Sequence, residues 1–171
     1  MNYYPIKVEG AVSDLEALWL YEKAIEMDSV VEIGSFKGKS THALLSGCKG
    51  LVYAIDHFQG SQDQSDGAYG RSGEDDFMKS CGHFPNLRLM KESSKKAAEG
   101  FEGKVDMVWI DGGYLTEEVI EDVTYWLPKV KKLLCGHDGF LESVKRALAT
   151  CQLRYDIRVG TIWEVAIESI G

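Results

Sequence analysis

Residues 30–41 read Val30-Val31-Glu32-Ile33-Gly34-Ser35-Phe36-Lys37-Gly38-Lys39-Ser40-Thr41. A short β-branched run stops at a glycine, and a polar, hydroxyl-bearing stretch follows at once. The run has the form of a strand buried on both faces. Gly34 and Gly38 let the turn bend sharply and let backbone approach a ligand closely. Residues 39–47 then read as a helix. The stretch predicts a strand, a glycine turn and a helix start whose first N–H groups lack intrahelical partners.

The same unit recurs downstream. A strand over 51–55 ends at Asp56. A strand over 87–90 precedes a helix over 93–100. The apolar run 105–110 is the strongest strand of the chain and ends at Asp111. A helix over 116–127 follows, capped by Thr116, with Glu117 and Glu118 favourable in its first turn. A short strand over 133–135 leads into Gly136-His137-Asp138, and a helix over 140–150 follows. Upstream, Ser13-Asp14-Leu15-Glu16 has the form of a capping box that opens a helix over 13–27. At the other end Leu153, Tyr155, Ile157 and Val159 alternate with Arg154, Asp156 and Arg158. Gly160 and a second apolar run over 161–167 complete a hairpin. Alternating strands and helices predict an α/β fold, doubly wound around a mostly parallel sheet, with an antiparallel hairpin at the end.

The polar, Gly-rich stretch 59–76 predicts a long loop of the kind that carries function. Residues 77–81 predict a short helix. Trp19, Trp109 and Trp126 are candidates for the core. Lys129, Lys131 and Lys132 read as a solvated helix end.

With 171 residues the chain suits one domain. It has 19 Lys and Arg against 27 Asp and Glu, a net charge of −8, which argues against a nucleic-acid partner. No apolar run approaches the roughly 20 residues a bilayer requires, so a membrane partner is not expected either. The four cysteines are widely spaced with no CxxC pair, and the first residues lack a secretory pattern. Free, buried thiols in a cytoplasmic protein are the expectation.

Ligands of such sheets sit outside the carboxyl ends of the strands. The residues there are Gly34, Asp56, Glu92-Ser93, Asp111 and His137-Asp138. The first turn invites comparison with a phosphate-binding loop, but Gly34 and Gly38 enclose three residues where that loop needs four. The GxGxxG dinucleotide fingerprint is absent as well. The 105–111 segment, an apolar strand ending in Asp, still resembles the second motif of nucleotide hydrolases. That class therefore stays open as an alternative, as does a non-catalytic cofactor-binding module.

The pattern Glu-x-Gly-x-x-x-Gly, with Asp56 following Gly34 in the chain, resembles class I S-adenosylmethionine-dependent methyltransferases. The stretches Gly10-Ala11-Val12-Ser13, VVEIGSFKGKST, AIDHF, VDMVWIDGG, YWLPKVK, LLCGHD and GTIW together resemble one branch of them. It is the small-molecule O-methyltransferase branch similar to macrolide-sugar O-methyltransferases and cephalosporin hydroxylase-like proteins. The resemblance implies a Rossmann-like sheet of seven strands and a small hydroxylated acceptor such as a sugar. It also implies S-adenosylmethionine as cofactor. Glu32, Gly34, Ser35, Phe36, Gly38 and Ser40 would line its methionine end, the carboxylate resting on loop N–H groups and the Ser40 hydroxyl. Asp56 would hold the ribose diol with both carboxylate oxygens. His57, Glu92 and Ser93 would approach the adenine. Asp111 and His137 would face the transferred methyl, with His137 as general base, a role an imidazole suits near neutral pH. Metal-using relatives hold magnesium on acids in these places, here Asp111 and Asp138. The chain departs from relatives that read Ile-Asp-Gly-Asp-His after the fourth strand, because Gly113 and Tyr114 stand where an acid and a histidine would. It also lacks their Pro-Gly-Gly before the fifth strand. So little chain is left outside the cofactor sheet that the acceptor site must come from short loops or from a second copy in a homo-oligomer.

Overall fold

The computed structural model describes residues 8–60 and 73–167. Among these residues seven strands form one sheet: β1 (Ser29–Ile33), β2 (Leu51–Ile55), β3 (Leu87–Met90), β4 (Val105–Ile110), β5 (Val130–Gly136), β6 (Asp156–Ile157) and β7 (Trp163–Ala166). Their order is β3-β2-β1-β4-β5-β7-β6. The first five are parallel, and β7 runs antiparallel to both β5 and β6. The order reverses between β1 and β4, so a crevice opens above their carboxyl ends.

Among the described residues six α-helices cover the sheet: α1 (Asp14–Ala24), α2 (Lys39–Gly47), α3 (Glu74–Cys81), α4 (Ser94–Gly100), α5 (Thr116–Trp126) and α6 (Glu142–Thr150). Alternation along the strands divides the core between the two faces. Val30, Val52, Ala54, Met107 and Trp109 pack with Leu20, Leu44 and Phe77 of α1, α2 and α3. Val31, Ile55, Val108, Ile110 and Leu134 pack with Ala97, Val123, Trp126 and Leu148 of α4, α5 and α6. Trp109, Trp126 and Trp163 are fully buried, whereas Trp19 is only half-buried against its cluster. Cys48, Cys81 and Cys135 are buried and Cys151 is half-buried, and none is bridged. Among the described residues no helix is long and apolar enough to cross a membrane.

The expected elements are present, with differences at their ends. α1 opens on the capping box: Ser13 Oγ accepts from the Glu16 N–H, and Glu16 Oε2 accepts from the Ser13 N–H. It stops at Ala24 rather than 27. α3 begins at Glu74, three residues earlier than the sequence suggests, because three acids in its first turn suit the helix dipole. Residues 61–72, most of the long loop, lie outside the described residues. Leu115, not Thr116, is the cap residue of α5; the Thr116 hydroxyl instead donates to the Ser143 carbonyl at 3.1 Å and ties α5 to α6. β5 is seven residues long and takes in Lys131 and Lys132. These lysines are strand residues near the buried Asp106, at 3.9 and 3.3 Å, not a helix end. The alternation over 153–159 yields only a two-residue strand, β6, because it is the outer edge and pairs only with β7.

Candidate active site

Backbone bonds between neighbouring strands continue one residue past their ends. The Gly34 N–H donates to Ile55 O, Asp111 N–H to Ile33 O, Asp56 N–H to Met90 O and His137 N–H to Ile110 O. These four candidate residues are therefore placed by the sheet rather than by a free loop. Above them lies a cavity of about 540 Å³.

The first turn is built around left-handed residues. Gly34 has φ +84° and Gly38 φ +92°, and Phe36 between them takes φ +47°. A Cβ on Gly34 would lie 2.5 Å from the Gly112 Cα, so this glycine also lets the turns after β1 and β4 touch. Asp56 then ties the turn to β2. Its Oδ2 accepts from the Ser35 and Phe36 N–H groups at 2.9 and 2.8 Å, and its Oδ1 accepts from Phe58 N–H at 2.7 Å. Those two loop N–H groups are consequently not free for the carboxylate of a methionine. A carboxylate offers about four lone-pair sites, so Asp56 keeps room for about one further donor rather than a bidentate diol.

Glu32 lies beneath the turn, fully buried, and does not line the cavity. The even positions of β1 face α2, so its Oε2 accepts from Ser35 Oγ at 2.9 Å and from Thr41 Oγ1. Its Oε1 has no hydrogen-bond partner. Burial pushes its carboxyl up to about 7, the hydroxyls of Ser40, Thr41 and Ser35 pull it back, and the charge of Asp111 raises it further. Gly38 likewise sits away from the cavity, against Cys81 and Phe77. These two positions support the first turn from below instead of lining the cavity. Ser35, Phe36 and Ser40 do reach the cavity wall, with Gly34.

At the far end of the crevice Glu92 and Ser93 line the wall. The Ser93 hydroxyl also caps α4 by accepting from Lys96 N–H. His57 is exposed, and its Nδ1 accepts from Gln59 N–H at 3.0 Å. Lys39, the residue a phosphate loop would aim at its ligand, pairs with Asp14 at 2.8 Å.

Asp111, His137 and Asp138 converge. His137 Nδ1 lies 3.5 Å from Asp111 Oδ1 and 3.4 Å from Asp138 Oδ1. Its Nε2 lies 3.2 Å from Glu16 Oε1. Burial opposes the imidazolium, but bonds to Asp111, Asp138 and Glu16 outweigh it and push His137 up to about 12. Asp111 is pushed up to about 6 by burial, against the pull of His137, while Asp138 and Glu16 raise it. One ligand atom from each of Asp111, His137 and Asp138 lies within 4.8 Å of the others, so the donor set fits a divalent cation. Sequence reading found the two acids as ligands; the histidine joins them only in space.

Three acids of this region escaped the sequence reading as site residues. Glu16 was absorbed by its capping role. Glu118 leans over Gly113, where a Cβ would lie 2.9 Å from its Cδ, so a carboxylate stands beside the glycine that replaces an acid. Asp122 is buried in the cavity wall and pushed up to about 7 by burial, against a bond from Ser94. Glu118 and Asp122, four apart on one face of α5, were legible as a pair only once the helix's orientation was known.

The family model of the methyltransferase domain matches residues 31–138. The chain belongs to that methyltransferase family. The match runs from β1 through Asp138 and so contains every candidate site residue proposed from sequence. No curated protein sequence matches the chain. Among solved structures, the fold is similar to that of a methyltransferase of Podospora anserina bound to SAH, at 13% identity, covering 91% of this chain and 79% of that one, with a TM-score of 0.69. It is similar to the O-methyltransferase TomG of Streptomyces achromogenes, involved in tomaymycin synthesis and complexed with SAM, at 15% identity, 91% and 81% coverage and a TM-score of 0.67. It is also similar to an O-methyltransferase of Bacillus cereus complexed with SAH, at 14% identity, 91% and 82% coverage and a TM-score of 0.63.

Proposed function

We propose that this methyltransferase moves the methyl group of S-adenosylmethionine to a hydroxyl of a small molecule. The observation that carries the reading is the crevice itself. It runs from the turn that Asp56 ties down to the cluster of Asp111, His137 and Asp138. Among the described residues seven acids line it, and the one lysine there is paired with Asp14. Such a lining attracts a cationic sulfonium and repels a nucleotide triphosphate or an RNA backbone. The nucleotide-hydrolase alternative loses its lysine in the same way. Once the methyl has left, the sulfonium becomes a neutral thioether, and the attraction that held the cofactor weakens.

In the transfer a bond forms between the acceptor oxygen and the methyl carbon as the carbon–sulfur bond breaks. The acceptor's proton passes to Asp111, whose raised pKa suits a base near neutral pH. His137 already carries its proton and serves as the cation that keeps Asp111 and Asp138 together, in place of the general base expected from sequence. With the His137 proton displaced, Asp111, His137 and Asp138 would instead hold a divalent cation such as magnesium, which would lower the pKa of a bound hydroxyl. Exposed Tyr114, Leu115, Phe140 and Leu141 stand on the loops that follow Asp111 and Asp138. They offer an apolar wall to the acceptor.

Calorimetric titration with S-adenosylhomocysteine tests the reading. Binding is expected, with affinity lost in Asp56→Ala; absence of heat at about millimolar ligand, where binding free energy is only about 4 kcal/mol, would refute it. Transfer of labelled methyl to a panel of neutral hydroxylated compounds then tests the acceptor class.

A further inference from the structure

Glu16 belongs to α1, outside the strand ends that supply the rest of the site, yet it is buried and touches the reacting end. One carboxylate does two jobs. Oε2 accepts from the N–H and the hydroxyl of Ser13, both at 2.8 Å. Oε1 faces the other way and accepts from Thr161 N–H at 2.9 Å and Thr161 Oγ1 at 3.2 Å, and it meets His137 Nε2 at 3.2 Å. A capping box satisfies itself with the Ser13 contacts alone. The Oε1 contacts are extra, and they are long-range, joining α1 to the end of β5 and to the β6–β7 turn.

The turn is shaped to admit this carboxylate. Gly160 has φ +56°, and a Cβ there would lie 2.8 Å from Glu16 Cδ. The backbone of His137 is already fixed, its N–H by Ile110 O and its carbonyl by Trp163 Nε1 at 2.9 Å. What remains are the side chain's own torsions, of which the last, about the ring, is broad and two-fold for histidine. Glu16 meets one ring nitrogen, and Asp111 and Asp138 meet the other.

We propose that Glu16 is a positioning residue of the site: by taking Nε2 it commits Nδ1 of His137 to Asp111 and Asp138. This rests on the reading of that cluster as the reacting end of the crevice. The Ser13 N–H and the glycine turn hold Glu16 itself in place, so α1 sets the ring orientation without touching cofactor or acceptor. A ligand for Nδ1, proton or divalent cation, then meets a ring that is already aimed.

The test follows the His137 ring by proton–nitrogen correlation NMR, with the signal assigned by its loss in His137→Asn. The wild-type ring should show one state, with a slowly exchanging proton on Nε2. In Glu16→Gln, where one acceptor oxygen must serve both Ser13 and Thr161, the ring should exchange between orientations. Binding of manganese alone, followed by electron paramagnetic resonance, should weaken by about tenfold, or about 1.4 kcal/mol. Ser13→Ala, which removes only the cap hydroxyl, should lower thermal stability and leave the ring signal unchanged. Unchanged ring signals in Glu16→Gln despite lower stability would overturn the proposal, since the residue would then be merely structural. Should Glu16→Gln not fold, absence of a protected Nε2 proton in the wild type would overturn it equally. S-adenosylhomocysteine binding, measured on the same samples, reports on the methyltransferase reading separately.

Discussion

Glu32→Gln isolates the cost of a buried acid. In the folded chain its carboxyl is raised from 4.5 to about 7, chiefly by burial. The folded state therefore holds a proton that the unfolded state releases. Stability falls as pH rises from about 4.5 to about 7 and is constantly lower above that range. A shift of about 2.5 units corresponds to about 3 kcal/mol. Glutamine keeps the shape and cannot ionise, and the Ser35 and Thr41 hydroxyls can still donate to its oxygen. The variant should match the wild type near pH 4.5 and exceed it by about 3 kcal/mol at pH 8, which for this chain length is a rise in Tm of roughly 6–12 °C. Asp122 also has a raised pKa, but its slope is common to both proteins and cancels in the difference. Asp111 is coupled to Glu32, so it ionises more easily in the variant and adds to the gain at high pH rather than opposing it. Urea denaturation at half-unit pH steps measures it. Parallel stability curves for the two proteins between pH 5 and 8 would refute the reasoning, since Glu32 would then ionise as easily inside as outside.

Other perturbations have equally definite outcomes. Asp56→Ala strands the N–H groups of Ser35, Phe36 and Phe58 and should cost about 2–4 kcal/mol in urea denaturation. Gly34→Ala combines a left-handed φ with contact against the backbone of Asp111 and Gly112, neither of which can give way; a loss of about 3 kcal/mol or more is expected, read as a lowered Tm. Burial raises the pKa of all four cysteine thiols, so a thiol reagent at pH 8 should label Cys151 slowly and the other three only after unfolding. A divalent cation at Asp111, His137 and Asp138 must displace the His137 proton, so magnesium affinity measured by calorimetry should rise steadily from pH 7 to pH 9.

The periodicity of the chain determined most of the architecture. The runs at 51–55, 87–90 and 105–110 became strands with those bounds. β4 is buried along its whole length, as an unbroken apolar run requires, whereas β3 is the edge strand and leaves Arg88 exposed. Ser13 and Glu16 announced the start of α1 because a cap is a local arrangement of four residues. The strand-end positions of Asp56, Asp111, His137 and Asp138 followed from the fold class alone.

Tertiary structure decided how those side chains are used. No local pattern shows that Asp56 spends three of its lone pairs on neighbouring backbone, that Glu32 lies under the turn, or that Lys39 turns to Asp14. Phe58 is a near neighbour of Asp56, and Ser35 of Glu32, but Ser35 and Phe36 lie 21 and 20 residues from Asp56 and meet it only when β1 and β2 pair, as Lys39 meets Asp14 only when α1 packs on α2. Edge position shortened β6, and pairing with β4 drew Lys131 and Lys132 into β5. The same holds for Glu16. Its spacing from Ser13 specifies a helix cap, but its contacts with His137 and Thr161 lie 121 and 145 residues away in the chain. Short-range spacing encodes elements; the convergence of charges that gives this site its chemistry exists only after the sheet has brought its ends together.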